Sequence, residues 1–296
     1  MITVLALGVF LALVGRAAPK PLARAAWVVR APRLAVAAWV ALLAAAAMGA
    51  AMTVHQLLTP HAHRPFGLAR WLTGLGDVPP AGAGGHVEPV LLALAVFCAA
   101  AGVVGAGWVR AGRARVRHRA VLDLVGRPAG DGPWLVVEDT RAAAWCVPGR
   151  GGRIVFTRGA LDRLTPGHRA AVLAHERAHL AGRHHLLVAG AVALGRALPW
   201  FPPARLAAEQ VPVLLEMAAD DAALRVTTPQ VLAEALCAVA AGPAPGGALA
   251  AGGHAVVARV KRLLVAGPGL RAVQRGAGWA VVVLLPTVPV LLGCGP

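Results

Sequence analysis

Four long apolar stretches constrain this chain more than any other feature of its sequence. They cover residues 1–15, 34–54, 89–108 and 276–293 and contain no Asp, Glu, Lys or Arg. A helix needs about 20 apolar residues to cross the hydrocarbon core of a bilayer. The first stretch is short, but it lacks the basic start of a cleavable signal peptide, so we expect an uncleaved anchor. The stretches therefore predict an integral membrane protein with four transmembrane helices, the last one kinked by its two prolines.

The distribution of basic residues predicts how these helices cross the membrane. Lys and Arg next to spans favour the cytoplasmic side. Loop 16–33 and the segment after the third stretch are rich in them, whereas loop 55–88 has only Arg64 and Arg70. We therefore expect both termini outside, residues from about 110 to 275 in the cytoplasm, and a plasma-membrane location. The net charge of +16 then reflects topology, and we expect neither disorder nor direct nucleic-acid binding.

This pattern divides the chain into three parts. Residues 1–119 form a membrane region with three spans, residues 120–275 a cytoplasmic unit, and residues 276–296 the last span. Within the cytoplasmic unit, runs at 134–138, 142–147 and 153–157 predict a small sheet that precedes the helices. The run at 186–203 is apolar but interrupted by Arg196 and prolines, which favours an interfacial or re-entrant helix.

The motif His175-Glu176-Arg177-Ala178-His179 carries the clearest chemistry. Thr165 and Pro166 are a typical N-cap and first helical residue, so we expect a helix from there to about residue 182. Histidines four residues apart share one helical face and can bind one zinc ion. Glu176 would lie beside that metal, where it can take a proton from a bound water and pass it to a leaving amine. Residue frequencies predict only about 0.01 chance matches to the motif in such a chain.

A catalytic zinc ion needs a third protein ligand and keeps its fourth position for water. Glu216 is the candidate, with Glu209 as the alternative. Asp220, one helical turn later, could accept a hydrogen bond from a ligand histidine and fix its tautomer. The other interpretation is that these acidic residues, together with Asp221, form a solvated helix face. It is disfavoured because the chain has only six glutamates and the segment is otherwise apolar.

The sequence around these residues resembles the membrane-embedded zinc peptidases of the BlaR/MecR signal-transducer type. The resemblance is carried by AVLAHERAHLAGRHHLL at 171–187, LEMAADDAAL at 215–224 and AWCVPGRGGRIVFTRGAL at 144–161. The HtpX and CAAX-prenyl-protease group is more distantly similar. The resemblance covers most of 110–240 and implies a cytoplasmic, zincin-like catalytic domain of the α+β class. It also implies His175, His179 and Glu216 as ligands of one catalytic zinc ion, Glu176 as general base, and Asp220 as the partner of a ligand.

The resemblance also bears on substrate and signal. Proteins of the BlaR/MecR type carry a large extracellular penicillin-binding sensor after their last span and cleave a small winged-helix repressor. The sequence ends at residue 296, just past the fourth stretch, so we do not expect direct β-lactam sensing. The expected function is a membrane-bound zinc endopeptidase that acts on a cytosolic or membrane-proximal protein, either such a repressor or misfolded membrane proteins. A non-catalytic zinc scaffold stays open, whereas transport is disfavoured because the apolar stretches contain no charge.

Weaker features leave their alternatives open. An oxyanion-stabilising or substrate-binding role is expected of one of four basic residues, which otherwise face lipid headgroups: Arg183, His184, His185 and Arg225. Residues 151–156 are either an exposed edge strand to which a substrate could add or an ordinary internal strand. His168 is expected to be a solvated surface residue. The histidines of loop 55–88 form either an external metal site or part of a plain polar loop, and these are His55, His61, His63 and His86.

Overall fold

The computed structural model describes residues 2–58, 87–130, 132–149, 151–240, 249–265, 267 and 269–293, and it is mostly helical. The helices of the first part are α1 (Ile2–Ala12), α2 (Pro19–Arg24), α3 (Pro32–Leu58) and α4 (Val87–Val125). A π-helical segment, Leu13–Ala17, joins α1 to α2. The later helices are α5 (Arg158–Arg163), α6 (Pro166–Ala181), α7 (His184–Ala197), α8 (Pro202–Ala223), α9 (Pro229–Ala240), α10 (Leu249–Val265), α11 (Ala272–Leu284) and α12 (Val288–Gly293).

Four helical segments among the described residues are long and apolar enough to cross a membrane, as the sequence predicts. They are Ile2–Arg24, Pro32–Leu58, Leu94–Val125 and Ala272–Gly293. A turn of 3-10 helix at Leu285–Thr287 interrupts the last one, where the prolines predict a kink. The orientation of the four segments across the bilayer stays a prediction. The loop with the three histidines at positions 61, 63 and 86 lies outside the described residues.

The third span continues well beyond its apolar stretch. Helix α4 is 39 residues long and runs through the arginine-rich segment without a break, so the boundary expected between residues 119 and 120 falls inside it. Helix α7 packs along α4 in close contact. A Cβ added to Gly107 would lie 2.5 Å from the Cβ of Ala193, and the indole nitrogen of Trp108 donates to the carbonyl of Leu186 at 2.9 Å. The run at 186–203 is therefore helical as far as Ala197, and this helix lies against the third span, whereas Pro202 and Pro203 begin α8. The interfacial or re-entrant placement of α7 stays a prediction.

The small sheet has four strands, β1 (Arg127–Pro128), β2 (Leu135–Val137), β3 (Ala144–Val147) and β4 (Arg153–Thr157). Their order is β1-β2-β4-β3, with β4 parallel to β2 and antiparallel to β3. The three expected strand regions are confirmed, but the edge-strand interpretation of residues 151–156 is wrong, because β4 has a neighbour on each side. Strand β3 lies at the edge instead.

The sheet packs against α6, which carries the HExxH motif. Phe156 of β4 is fully buried, and it lies in one apolar cluster with Val172 and Leu173 of α6. The start of α6 is as expected, since the Thr165 hydroxyl accepts a hydrogen bond from the His168 backbone nitrogen at 3.2 Å. The helix ends at Ala181, with Gly182 as its C-cap. These contacts place the motif between the sheet and α8.

Candidate metal centre

Three side chains that the sequence predicts as metal ligands lie together in the structure. On α6, the Nε2 atoms of His175 and His179 are 3.1 Å apart. Glu216 of α8 places its two carboxylate oxygens 3.4 Å from these two nitrogens, Oε2 facing His175 and Oε1 facing His179. Within the described part of the chain, these residues form a group whose ligand atoms could hold a metal ion.

The spacing of these atoms fits zinc. In a tetrahedral site with metal–ligand bonds of about 2.1 Å, two ligand atoms are separated by about 3.4 Å. The separation of the two Nε2 atoms, and the distance from each Nε2 to its nearer Glu216 oxygen, lie within a few tenths of an ångström of that value. The two oxygens are different atoms, and with one ligand atom taken from each residue all three atoms lie within 4.8 Å of one another. Two imidazoles and one carboxylate are also a donor set that catalytic zinc sites use, with the remaining position open for water or substrate.

The other ring nitrogens of both histidines have partners of their own. Nδ1 of His175 lies 3.0 Å from Oδ1 of Asp220, a fully buried carboxylate on α8. Nδ1 of His179 lies 3.0 Å from Nδ1 of His184. An Nδ1–H that is held by an acceptor leaves Nε2 unprotonated and able to bind a metal. Asp220 therefore lies where the sequence predicts a partner for a ligand histidine.

His184 is placed by an unusual turn between two helices. Arg183 adopts the left-handed conformation with φ 48°, which costs a non-glycine residue about 1 kcal/mol or more. The turn ends α6 and starts α7 in a new direction, and His184 packs against His179 with only 7% of its surface exposed. Burial and the neighbouring His179 lower the pKa of His184 to about 4, so this imidazole is neutral at physiological pH and can accept a hydrogen bond.

Charges around the three candidate ligands are strongly coupled. Burial opposes the charged form of His175, but its hydrogen bonds with Asp220 and Glu216 prevail and raise the pKa of His175 to about 9. Burial likewise opposes ionisation of Glu216, yet hydrogen bonds from His175 and His179 hold the pKa of its carboxyl well below the ordinary range. Without a metal, the acidic groups of the cluster therefore favour a protonated His175. A metal that binds must displace that proton.

Glu176 faces the cavity next to the candidate ligands. It is 9% exposed and lines a cavity of about 200 Å³ together with His175, Glu216 and Ala144 of β3. The other walls of the cavity are mostly apolar and come from α6, α9 and α10, with Val172, Leu232, Leu236, Val239 and Val256. Glu176 thus lies between the candidate metal ligands and the edge strand.

The remaining candidates lie elsewhere. His185 borders a separate cavity of about 590 Å³ beside the β3–β4 turn, together with Arg183. Arg225 is exposed just beyond the end of α8. Glu209 is exposed and pairs with Arg205 at 3.2 Å, which removes it as the alternative ligand. His168, expected to be only solvated, pairs with Glu234 at 3.2 Å.

Arg259 of α10 contacts the candidate site, although no sequence motif singles it out as a site residue. Its Nε and Nη2 atoms lie 2.9 and 2.6 Å from the two oxygens of Asp220, and its Nη1 lies 3.0 Å from Oε2 of Glu216. A signal was present in the sequence. Val256, Val260 and Leu263 share one helical face, and Arg259 interrupts that face.

The thiol of Cys146 gives a test of where Glu176 lies. Burial and the adjacent Glu176 carboxylate raise the pKa of the Cys146 thiol far above its ordinary value, and only the thiolate reacts with alkylating agents. In zinc-free protein at pH 8, we expect iodoacetamide to modify Cys146 much more slowly than the exposed Cys237. Glu176→Gln should accelerate modification of Cys146 several-fold and leave Cys237 unchanged, as measured by mass spectrometry of the peptides. An unchanged rate at Cys146 would place Glu176 away from β3.

Comparison with known proteins agrees with this geometry. Residues 110–209 match peptidase family M48, whose members are generally zinc-dependent metallopeptidases. The matched segment includes the HExxH motif and ends before Glu216. No curated protein and no solved structure matched the chain. With the four apolar helices, the match indicates a membrane-associated metallopeptidase, without singling out the BlaR/MecR type.

Proposed function

We propose that this protein is a membrane-bound zinc endopeptidase that cleaves a cytosolic or membrane-proximal protein. The observation that carries the proposal is the arrangement of His175, His179 and Glu216. One ligand atom from each residue lies within 4.8 Å of the others, close enough to hold one ion, and the far nitrogen of each histidine lies 3.0 Å from a buried partner. Zinc bound here would supply a Lewis acid and lower the pKa of a water molecule.

Each of the protein's own groups has a role in this proposal. Glu176 accepts a proton from water in the cavity and donates it to the amine that leaves. Asp220 and His184 keep Nδ1 of the two ligand histidines occupied. The walls formed by α6, α9 and α10 give the region around Glu176 a mostly apolar lining.

Strand β3 supports a protein substrate rather than a small molecule. It is at the edge of the sheet, and Ala144 and Cys146 of this strand adjoin Glu176. An extended peptide that pairs with β3 by main-chain hydrogen bonds would therefore pass the cavity. The indole nitrogen of Trp145 on β3 lies 3.1 Å from Nε2 of His118 on α4, which ties this strand to the helix of the third span. The basic loops favour a cytoplasmic orientation.

The resemblance to BlaR/MecR-type proteins suggests a transcriptional repressor as substrate, and misfolded membrane proteins are the other class. The geometry argues against a non-catalytic scaffold. A structural zinc site tends to use four protein ligands, and His184, the candidate for a fourth, instead contacts the far nitrogen of His179.

The test compares wild type with Glu176→Gln and, as a matched control, Glu138→Gln, which alters an exposed surface ion pair with Arg158. The full chain is purified in detergent and assayed for bound zinc and for cleavage of an unfolded protein. We expect about one zinc per chain in all three proteins, and a loss of cleavage by at least about 100-fold in Glu176→Gln alone. Cleavage by Glu176→Gln at the wild-type rate would overturn the proposed role of Glu176. Zinc-loaded wild type that cleaves neither unfolded nor membrane-anchored substrates would favour the scaffold.

A further inference from the structure

Arg259 is the only buried arginine or lysine among the residues that the structure describes. It is 7% exposed and reaches the metal centre from α10, 39 residues beyond Asp220 along the chain. Burying an arginine is costly unless its charge is paired and its donors are satisfied. The contacts that repay this cost are all to residues of the candidate metal centre.

The guanidinium group of Arg259 joins the acidic groups of α8 to one of the histidines. It binds both oxygens of Asp220 in a bidentate pair, a geometry that fixes the orientation of the carboxylate. Its third nitrogen holds Oε2 of Glu216, the oxygen that faces Nε2 of His175. Nη2 also lies 3.4 Å from the ring nitrogens of His175. Arg259 therefore contacts two candidate ligands, Glu216 and His175, and it also contacts Asp220, which orients His175.

Glu216 is the candidate ligand that most needs such support. Its side chain is 40% exposed, whereas those of His175 and His179 are 7% and 16% exposed. A flexible glutamate that is free to rotate loses side-chain entropy when it binds a metal, and an anchored one loses less. Charge favours the same arrangement, because Glu176, Glu216 and Asp220 together carry three negative charges, which a zinc ion and one guanidinium neutralise.

We propose that Arg259 is a positioning residue of the metal centre. It holds the carboxylates of Glu216 and Asp220 in place, and through Asp220 it holds His175. Metal affinity therefore depends on a residue that does not bind the metal. The inference rests on the metal site of the proposed function but not on proteolysis.

The competing explanation is that Arg259 only anchors α10 to α8. Arg262, one helical turn later, also joins α10 to α8, and comparing it with Arg259 distinguishes the two explanations. It pairs with Asp221 and donates to the backbone carbonyls of Met217 and Val29. It thus joins α10 to α8, as Arg259 does, but it contacts no candidate metal ligand. Removing Arg262 therefore weakens the anchoring of α10 without removing a contact to a candidate metal ligand.

The experiment measures zinc affinity and the stability of the zinc-free protein in Arg259→Gln, Arg259→Lys and Arg262→Gln. Each change is made in full-length Glu176→Gln protein, so that proteolysis cannot affect the result. Zinc is titrated against a chromophoric chelator, and the visible absorption of Co²⁺ bound in its place reports the coordination geometry. Thermal unfolding without metal reports stability.

We expect Arg259→Gln to lower zinc affinity about 10-fold to 100-fold and to alter the Co²⁺ spectrum. Arg262→Gln should leave the zinc affinity and the Co²⁺ spectrum as they are in the parent protein, although it lowers the stability of the zinc-free protein. Arg259→Lys keeps the charge but cannot bridge two carboxylates in the same way, so its affinity should be intermediate. This variant also serves if Arg259→Gln does not fold.

Two results would overturn the proposal. One is a folded Arg259→Lys or Arg259→Gln protein with the parent's zinc affinity. The other is an equal loss of affinity in Arg259→Gln and Arg262→Gln, which would mean that Arg259 only anchors α10. A parent protein that binds no zinc would instead remove the metal site itself and, with it, the proposed function.

Discussion

Replacing Glu216 by alanine is expected to lower the zinc affinity of the protein by about a thousandfold. A structural zinc site with four protein ligands contributes about 10–16 kcal/mol, so one ligand accounts for roughly 2.5–4 kcal/mol, and the upper end corresponds to about a thousandfold in affinity. The loss should be large here because the Glu216 carboxylate faces both histidines at 3.4 Å. Chelator competition on the purified full-length protein measures the affinity directly.

Glu209→Ala is the matched control for this prediction. Glu209 lies on the same helix, about two turns before Glu216, and it is the alternative ligand that the sequence allowed. It is exposed and paired with Arg205, so its removal should leave zinc affinity unchanged within about twofold, since an exposed pair contributes little. A thousandfold loss in Glu209→Ala, with Glu216→Ala unaffected, would assign the third ligand to Glu209.

The membrane part of the fold could be predicted from the sequence because its cause is local. A bilayer requires about 20 consecutive apolar residues, and such stretches can be read without knowing what packs against them. What hydropathy could not give is where a helix ends. Helix α4 continues from the apolar stretch through Arg110 and on to Val125, just before Gly126. Arginines are good helix formers and no proline interrupts this segment, so the single Gly112 inside it does not end the helix.

In the candidate site too, features that depend on local sequence could be predicted, whereas those that depend on contacts between distant segments could not. The pairing of His175 with His179 follows from helical spacing alone, and the assignment of Glu216 and Asp220 needed only a second short pattern. The contribution of Arg259 depends on the packing of α10 against α8, which no local pattern specifies. Strand order is likewise not encoded locally, and for this reason the sequence left open whether residues 151–156 form an edge strand or an internal one, and did not identify β3 as the edge.

His184→Leu is expected to lower zinc affinity about 10-fold to 100-fold, the usual cost of removing the partner of a ligand histidine. His179 must keep a proton on Nδ1 if its Nε2 is to bind a metal, and Nδ1 of His184 lies 3.0 Å away as the acceptor. Leucine fills similar space but accepts no hydrogen bond. His184→Gln offers an amide oxygen and should recover part of the affinity.

The same variants decide between the two roles open to His184. If it orients His179, His184→Leu loses zinc affinity, and His185→Leu, which alters the histidine beside a separate cavity, does not. If His184 instead stabilises the oxyanion, as the sequence allowed, zinc affinity stays at the wild-type value. Cleavage by zinc-saturated His184→Leu would then fall by about 100-fold or more. The buried position of His184 behind His179, on the ring edge away from Glu216, leads us to expect the first result.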